Sequence, residues 1–538
     1  MRLFYQKTFR FFISSFPLLG FSVLSPIVGQ ARPTIEKAIE ADLGTDSGME
    51  AVLKENATTP AALSLFLQDF PKGADLHNHL IGAVYAESFL NWAEADGNCV
   101  HLKTNELSAE TCKNPLSKEE KSAIYLMNFP KKREALIDVM SMRHFVAHPH
   151  GETGHDHFFN AFHHIGVKTY RTGDMIAEAR TRAARDHIQY LELMISPDLS
   201  GAMAQGQKLS EVKEVSAERV FRQWHKEISP FLPLRLERAV QEIDQAQARS
   251  DALLGCHKRS PREGCKVNAR YLYQVIRTAP PKEVFSQLAI GYALTSKDPR
   301  FVGINFVAPE DAPIALKDYT LHMQMFHFFH HLYPHVHLAL HAGELTSELV
   351  GKDALKDHIR QAVEIAGAER IGHGVDIAYE EKSQQLLKEM AKKKILVEIN
   401  LTSNDEILGI KGKQHPLSLY QKAGVPVSLS TDDEGISRGD LTQEYVRAVF
   451  EQGASYQDLK NFSQTGLEYA FLEGKSLWKA QVGGIFVSAC KKAQIKRHLT
   501  DKCQKYLEKN EKAAQEWELE KRFQTFENLY LLKTEKVK

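Results

Sequence analysis

The chain has 538 residues, more than one hydrophobic core usually serves, although α/β barrels with insertions reach this length. Its 68 basic residues equal its 68 acidic residues, so the formal net charge at pH 7 is zero. This balance excludes a global electrostatic field that would attract nucleic acid or an anionic membrane. It favours a small partner that carries little charge.

The first 31 residues have the layout of a signal peptide. Three basic residues among the first ten precede a long apolar run, and the small residues Gly29 and Ala31 stand near its end, where cleavage would occur. The alternative is an uncleaved anchor helix, but two prolines interrupt the run. We therefore predict that residues 1–31 are removed during export, to the periplasm or out of the cell.

The six cysteines agree with export, because they fall into three couples that are each close in sequence. Local closure of each couple is the simplest of the many conceivable pairings. It would stabilise the fold by roughly 3 kcal/mol per bridge. The alternative is six free thiols, which an oxidising compartment disfavours. The couples are Cys99 with Cys112, Cys256 with Cys265, and Cys490 with Cys503.

Residues 32–70 look helical, and from there on short β-rich runs alternate with longer helical runs. This alternation predicts a parallel sheet, and eight repeats predict a closed (β/α)8 TIM barrel over residues 71–480, followed by a helical extension over 481–538. The helical runs include residues 172–188, 281–294 and 353–367. The predicted strands are residues 74–81, 190–196, 270–277, 302–309, 335–342, 370–377, 395–403 and 425–433.

An insertion of about residues 97–165 separates the first two predicted strands. It contains seven histidines between residues 144 and 164, close to Phe158, Phe159 and Phe162. A second metal site is one interpretation of this tract, and a polar loop with some aromatic packing is the other. The phenylalanines either wall a substrate pocket or pack in a core.

Polar clusters stand at the ends of the first, fifth, sixth and eighth predicted strands. His77 and His79 are one residue apart, so both imidazoles face the same side of a strand. His341 ends the fifth strand and Asp432 ends the eighth. Three nitrogen ligands and one oxygen ligand suit a single zinc ion with a position left for water. A zinc-bound water has its pKa lowered to about 7, which supplies hydroxide at neutral pH.

Three more residues are candidates for chemistry beside that centre. Glu344 follows the fifth strand and can donate a proton. His373 ends the sixth strand and can orient the bound water or take its proton. Asp433 points away from its neighbour and is free to bond to substrate. A single polar group at a strand end is usually structural, but seven such groups at four strand ends favour an active site.

These clusters lie in motifs that run in a fixed order along the chain between residues 70 and 450. Together they resemble the adenosine deaminase family of metal-dependent hydrolases. The signal peptide, the cysteine-bearing insertion and the N-terminal helices are most similar to its secreted branch, the adenosine deaminase-related growth factors. The motifs are KGADLHNHLIGA (72–83), YLELMISP (190–197), VGINFVAPED (302–311), HAGE (341–344), RIGHGVD (370–376), EINLTSN (398–404) and SLSTDDEG (428–435).

The resemblance implies hydrolytic deamination of adenosine or 2′-deoxyadenosine, in which zinc-bound hydroxide attacks purine C6 and ammonia leaves. It makes Glu344 the proton donor to purine N1 and His373 the residue that acts on the hydroxide. Asp433 becomes the partner of N7, and the backbone of Ala308 meets N3. The implied zinc ligands are His77, His79, His341 and Asp432.

Three positions depart from the family pattern. Ile81 stands where intracellular members have an aspartate that contacts the sugar, and Leu80 stands where the secreted branch often has a polar residue. The sugar contact is therefore unassigned. Ala308 replaces a glycine, which keeps the backbone N–H but adds a methyl group.

Other functions remain open at this point. A deaminase of another 6-aminopurine compound is the nearest alternative. A two-metal amidohydrolase would need a bridging lysine at the end of the fourth strand, where residues 307–309 read Val-Ala-Pro. A binding protein that has lost turnover would not need every acid, base and ligand position filled. The resemblance also allows a homodimer formed through the N-terminal helices.

Overall fold

The computed structural model describes residues 46–112, 119–147, 151–211, 216–493 and 499–537. The chain divides into two compact units, residues 1–47 and residues 48–538. Only residues 46 and 47 of the first unit are described, both in helical conformation. The predicted signal peptide lies outside the described residues. Within the described part of the chain, no helix is long and apolar enough to cross a bilayer.

Eight parallel strands form the centre of the second unit. Each pairs with the next in chain order, and the last closes onto the first. At the seam the His79 N–H donates to Asp432 O at 3.0 Å, and the Asp432 N–H donates to His77 O at 2.9 Å. This confirms the predicted (β/α)8 barrel. The strands are β1 (Gly73–His79), β5 (Ile188–Ile195), β6 (Asn268–Ile276), β7 (Phe301–Val307), β8 (His337–Ala342), β9 (Arg370–His373), β10 (Leu396–Ile399) and β11 (Val427–Leu429).

Helices cover the outside of the barrel, so the strands are buried on both faces, as in other parallel sheets. For that reason β5 reads as a near-continuous apolar run, and all of its residues are buried. The α-helices are α1 (46–56), α2 (Pro60–Leu67), α3 (Ala86–Asp96), α4 (Pro130–Val139), α5 (Gly154–Ala161), α6 (Thr172–Arg185), α7 (Leu199–Gly206), α8 (Ala217–Ile228), α9 (Leu232–Leu254), α10 (Pro281–Thr295), α11 (Pro313–Leu332), α12 (His358–Gln361), α13 (Ser383–Lys393), α14 (Leu401–Leu408), α15 (Leu417–Ala423), α16 (Glu434–Ser437), α17 (Leu441–Gln452), α18 (Tyr456–Glu468), α19 (Asp501–Leu507) and α20 (Glu511–Val537).

The segment between α3 and α6 builds a small antiparallel sheet before it returns to the barrel. Its strands are β2 (Asn98–His101), β3 (Glu106–Thr111) and β4 (Glu120–Ser122), with β2 in the middle. Beyond the sheet, α5 packs on α14, whose first residue stands two positions after β10. The predicted insertion therefore reaches the mouth of the barrel.

All three predicted local cysteine pairs are disulfide-bonded in the structure. One bridge ties β2 to the end of β3, one closes the turn after α9, and one fastens α19 to the segment that precedes it. Each spans only 9 to 13 residues, so each restrains a local loop. The bridges are Cys99–Cys112, Cys256–Cys265 and Cys490–Cys503.

Several predicted elements end or begin at the wrong residue. The predicted strands over 370–377 and 425–433 end at His373 and Leu429. Two further elements show a physical cause. The predicted strand over 395–403 stops at Ile399, and α14 starts at Leu401, because Glu444 of α17 accepts the N–H of Leu401 at 2.6 Å. The predicted helix over 353–367 begins only at His358 and continues as one π-helical turn. There Glu380 accepts the N–H of Ile359 at 2.7 Å. Both helix starts are capped by a carboxylate distant in sequence, which no local pattern reveals.

Candidate active site

Four polar side chains from three barrel strands meet at the C-terminal mouth of the barrel. His77 and His79 lie on β1, His341 lies on β8, and Asp432 follows β11. The Nε2 atom of His341 is 3.0 Å from that of His77 and 3.1 Å from that of His79. Asp432 Oδ1 lies 3.2 Å from the Nε2 atoms of both His77 and His79.

These separations match the spacing of ligands around one small cation. Metal–ligand bonds of about 2.0–2.1 Å in a tetrahedral zinc site put neighbouring ligand atoms ~3.3 Å apart. Metal-type clusters among the described residues fall into two overlapping groups. One joins His77, His341, His373 and Asp432, and the other joins His79 with Asp432 and Asp433. His373 Nε2 is farther away, 3.9 Å from Asp432 Oδ2.

The outer ring nitrogen of each central histidine faces an acceptor. Nδ1 of His77 lies 2.7 Å from a Glu398 carboxylate oxygen. Nδ1 of His79 lies 3.1 Å from the Gln274 amide oxygen, and Nδ1 of His341 lies 2.6 Å from the Asn305 amide oxygen. Each Nδ1 therefore carries the proton, which leaves three Nε2 lone pairs directed at one point.

Lone pairs in such contact repel one another unless a cation lies between them. Asp432 Oδ1 is buried among them without a hydrogen-bond partner, while Ser403 Oγ donates to Oδ2 at 2.7 Å. A divalent metal would satisfy this donor set, and the set is of the nitrogen and oxygen type that zinc accepts. The residues present therefore fit a zinc ion.

Buried charges continue from His77 into the barrel interior. Glu398 Oε1 lies 2.7 Å from Arg370 Nε, and Arg370 Nη2 donates to Glu192 at 2.5 Å. All of these side chains are fully buried. Burial alone would raise the pKa of Glu398, but Arg370 and His77 outweigh it, so the pKa is lowered. Glu398 is thus an ionised acceptor for the His77 N–H.

Glu344 sits beside the centre because a second carboxylate holds the turn that carries it. Glu310 accepts the Gly343 N–H at 3.1 Å and the Glu344 N–H at 2.9 Å, and it also receives His358 Nδ1 at 2.6 Å. Burial opposes ionisation of Glu310, but His358 and Arg277 lower its pKa to about 2. Burial, with the charges of Asp432 and Glu310, raises the pKa of Glu344 well above its usual value.

His373, at the end of β9, is held by amides on its far side. Asn404 Nδ2 is 2.9 Å from His373 Nδ1, and Asn400 Nδ2 is 3.4 Å from it. Burial lowers the pKa of His373 to about 3, so the ring is neutral. Its Nε2 atom faces the centre and has no hydrogen-bond partner among the described residues.

A cavity of about 560 Å³ opens beside this centre. Its walls are mainly apolar, and they include the three insertion phenylalanines. These residues also pack together, so the pocket and core interpretations both hold for Phe158, which lies in a small apolar cluster. The cavity is lined by His79, Ile81, Phe158, Phe159, Phe162, His163, Gln274, Ile276, Thr278, Val307, Ala308, Pro309, His341, Glu344, Ile407, Asp432 and Asp433.

Three residues of the site have backbone conformations that favour glycine. The φ angles are 83° at Ala308, 67° at His373 and 61° at Asp432. Such strain concentrates at functional sites, where the surrounding structure enforces it. Gly82 is needed for a different reason, because a Cβ at that position would overlap Asp433 Oδ1.

The histidine tract of the insertion holds no second metal cluster within its described part. His155 Nε2 pairs with Asp311 at 2.9 Å, and His157 Nδ1 pairs with Glu152 at 3.0 Å. His163 lines the cavity, and His164 Nδ1 donates to Asn105 O. Residues 154–164 of the tract are helical, in α5 and the turn after it. The histidines described here therefore serve ion pairs, a backbone hydrogen bond and the cavity wall.

The sequence predicts all four side chains of the histidine and aspartate centre and the three candidate residues beside it. It does not predict the polar residues that hold the histidines in place. Glu398, Gln274 and Asn305 received no role, although each lies inside or next to a recognised strand motif. The available signal was a polar residue within an otherwise apolar strand. Such a residue must find a partner inside the barrel.

The fold and the site together define a (β/α)8 barrel with a histidine and aspartate centre of metal-binding type beside an apolar cavity. The sequence model of the adenosine deaminase family matches residues 138–480. This chain belongs to the adenosine deaminase family.

Curated relatives are similar over a shorter stretch. The adenosine deaminase of Shewanella loihica is 35% identical over 144 residues, which cover 26% of this chain and 43% of that protein. An Escherichia coli adenosine deaminase is 34% identical over 140 residues, covering 26% and 39%. The aligned segments thus span about two-fifths of these relatives.

Among solved structures, a Burkholderia ambifaria amidohydrolase with bound zinc matches 87% of this chain and 95% of its own. The TM-score is 0.50 and the identity is 15%. At that identity the match is evidence for the fold.

Proposed function

We propose that this protein is a zinc-dependent hydrolase that converts adenosine or 2′-deoxyadenosine to inosine or 2′-deoxyinosine and ammonia. The observation that carries the proposal is the meeting of three imidazoles and a carboxylate at one end of an apolar cavity that also presents two more carboxyl groups. This arrangement offers a metal centre, a proton donor and an apolar wall in one place.

The proposed ligands are the four side chains with the shortest mutual distances, and one zinc ion per chain follows from them. When bound, zinc would supply the Lewis acidity that makes hydroxide available near neutral pH. His373 lies just outside this set and faces the same point. The ligands are His77, His79, His341 and Asp432.

In the proposed reaction, water adds to purine C6, a proton reaches N1, the C6–N bond breaks and the amino group leaves as ammonia. Glu344 is the proposed proton donor to N1. Burial and the nearby carboxylates raise its pKa well above the usual value, which favours the protonated form, and it lines the cavity beside the metal ligands. Glu310 supports this role by fixing the backbone at Glu344 and by adding negative charge nearby.

Asp433 is the proposed partner of purine N7. Because N7 is a hydrogen-bond acceptor, Asp433 must carry a proton to bond to it. Burial and the charge of Asp432, partly offset by His79, raise the pKa of Asp433 to about 7. Its Oδ1 atom is buried against Gly82 without a hydrogen-bond partner, and its side chain lines the cavity. Ala308 lines the same cavity, where its backbone N–H is the proposed contact for N3.

The cavity lining bears on the alternative substrate, another 6-aminopurine compound. Ile81 belongs to the lining, together with phenylalanine and isoleucine side chains, and Thr278 and His163 are polar lining residues to which the proposed reaction gives no role. We expect the sugar hydroxyls to contribute little to binding. Loss of the 2′-hydroxyl should therefore change kcat/KM only slightly.

The test is a steady-state panel of adenosine, 2′-deoxyadenosine, adenine and AMP on the purified, zinc-loaded mature chain, with ammonia release and purine absorbance as readouts. Turnover of the nucleosides supports the proposal, and turnover of adenine or AMP alone selects the alternative. Glu344→Gln is the matched control, because it keeps size and polarity but cannot donate an acidic proton. It should lose turnover while zinc remains bound at one ion per chain.

Export remains part of the proposal. Three disulfides support folding in an oxidising compartment, and they also support a place in the secreted branch of the family. Cell fractionation with mass determination of the mature N-terminus tests it. Full-length chain in the cytoplasm would contradict it.

A further inference from the structure

A chain of hydrogen bonds runs from the first peptide N–H of α15 to the far side of His373. It passes through two buried side chains, His415 and Asn404. The Leu417 N–H lies 3.2 Å from His415 Nδ1, and His415 Nε2 lies 3.0 Å from Asn404 Oδ1. Asn404 Nδ2 then lies 2.9 Å from His373 Nδ1.

The direction of this chain is set at its first link. A peptide N–H can only donate, so His415 Nδ1 must accept. Burial lowers the pKa of His415 to about 3, so the ring is neutral and its one proton lies on Nε2. That N–H donates to the Asn404 amide oxygen, which turns the amide nitrogen towards His373.

The same logic fixes the proton on His373. The Asn404 amide nitrogen can only donate, so His373 Nδ1 must accept and its proton must lie on Nε2. The amide nitrogen of Asn400, at 3.4 Å, favours the same form. The nearest carboxyl oxygen, Glu344 Oε1, is 3.6 Å from Nδ1, which is too far for a hydrogen bond.

We propose that His415 is a positioning residue that acts through Asn404 to hold His373 as its Nε2–H form, so that His373 presents a hydrogen-bond donor to the reacting centre. The inference rests on the proposed deaminase function. The sequence allows two roles for His373, to orient the attacking water or to accept a proton from it. A ring that already carries a proton on Nε2 can orient the water but cannot accept a proton at Nε2.

The experiment compares His415→Leu with His415→Gln in the full, zinc-loaded chain. Leucine removes the donor to Asn404, so the amide is free to flip and His373 loses its fixed form. We expect kcat on adenosine to fall by about 10- to 100-fold, the usual cost of losing an outer hydrogen-bond partner, with KM and zinc content unchanged. Glutamine can still donate to Asn404 Oδ1 and should restore most of kcat.

A second readout does not depend on turnover. In protein labelled with 15N-histidine, spectra of the ring nitrogens report which nitrogen of His373 carries the proton, and His373→Gln assigns the signal. Metal-free and zinc-loaded wild-type chains should both show the Nε2–H form. Asn404→Asp, which can only accept, should move the proton to Nδ1, and this variant replaces His415→Leu if the latter does not fold.

An Nδ1–H form in the wild type, or unchanged kcat in a folded His415→Leu chain, would overturn the proposal. A wild-type chain that turns over no 6-aminopurine would instead defeat the proposed function. The ring-nitrogen spectra separate these two failures.

Discussion

Replacing Glu398 by glutamine should weaken zinc binding without touching any proposed ligand. Glu398 accepts the His77 Nδ1–H at 2.7 Å and lies 2.7 Å from Arg370 Nε. Its charge makes His77 a better electron donor to a metal and holds the ring in place. Glutamine keeps the shape and one acceptor oxygen but loses the charge.

The magnitude follows from the change in that one hydrogen bond. A bond to a charged acceptor contributes about 1.5–3 kcal/mol, against about 1 kcal/mol for a neutral one. The difference, up to about 2 kcal/mol, corresponds to a loss of up to about 30-fold in zinc affinity. Outer partners of metal-binding histidines typically affect affinity over the range of about 10- to 100-fold.

The assay is zinc affinity by competition with a chelator of known strength, and Glu192→Gln is the control. Glu192 is the other buried carboxylate on Arg370 and does not contact His77. Both variants leave Arg370 with one carboxylate partner instead of two, so both should lower the stability of the metal-free chain. Only Glu398→Gln should lose zinc affinity. Equal losses in the two variants, or none in either, would refute the role assigned to Glu398.

Three further outcomes are expected. KM for adenosine should rise as the pH passes about 7, because Asp433, whose pKa is raised to about 7, then loses the proton that bonds to N7. Asp433→Asn offers an N–H at every pH, so the rise of KM above pH 7 should disappear in this variant. If the rise persists, Asp433 is not the group whose proton bonds to N7. Ala308→Gly should raise the free energy of unfolding by about 1 kcal/mol, since φ is 83° there. Ala312→Gly, at φ −56°, should instead lower it, and equal shifts in denaturant unfolding would contradict the strain. Replacing Cys256 and Cys265 together by serine should cost about 2–3 kcal/mol for a 9-residue loop, measured as the same free energy. A loss near zero would mean that the loop is already ordered without the bridge.

The fold could be predicted from sequence because alternation of apolar strands and helices is a local signal, repeated eight times. The inner site could be predicted because each member stands at a strand end, and the C-terminal ends of barrel strands meet. In two of the elements whose predicted bounds were wrong, the cause was a contact distant in sequence. Glu444 starts α14 inside a run that reads as strand, and Glu380 delays the helix that a local pattern would begin at residue 353.

The partners of the ligands show what strand patterns cannot supply. The alternation of side chains along a strand predicts that Glu398 faces into the barrel. Which side chain it contacts depends on the register between neighbouring strands. Gly372 on β9 pairs with His341 on one side and with Glu398 on the other. A Cβ at Gly372 would lie 2.5 Å from the ring of His77. Because Gly372 has no side chain, His77 has room to cross the barrel and contact Glu398. That space forms only when the eight strands have closed into a barrel.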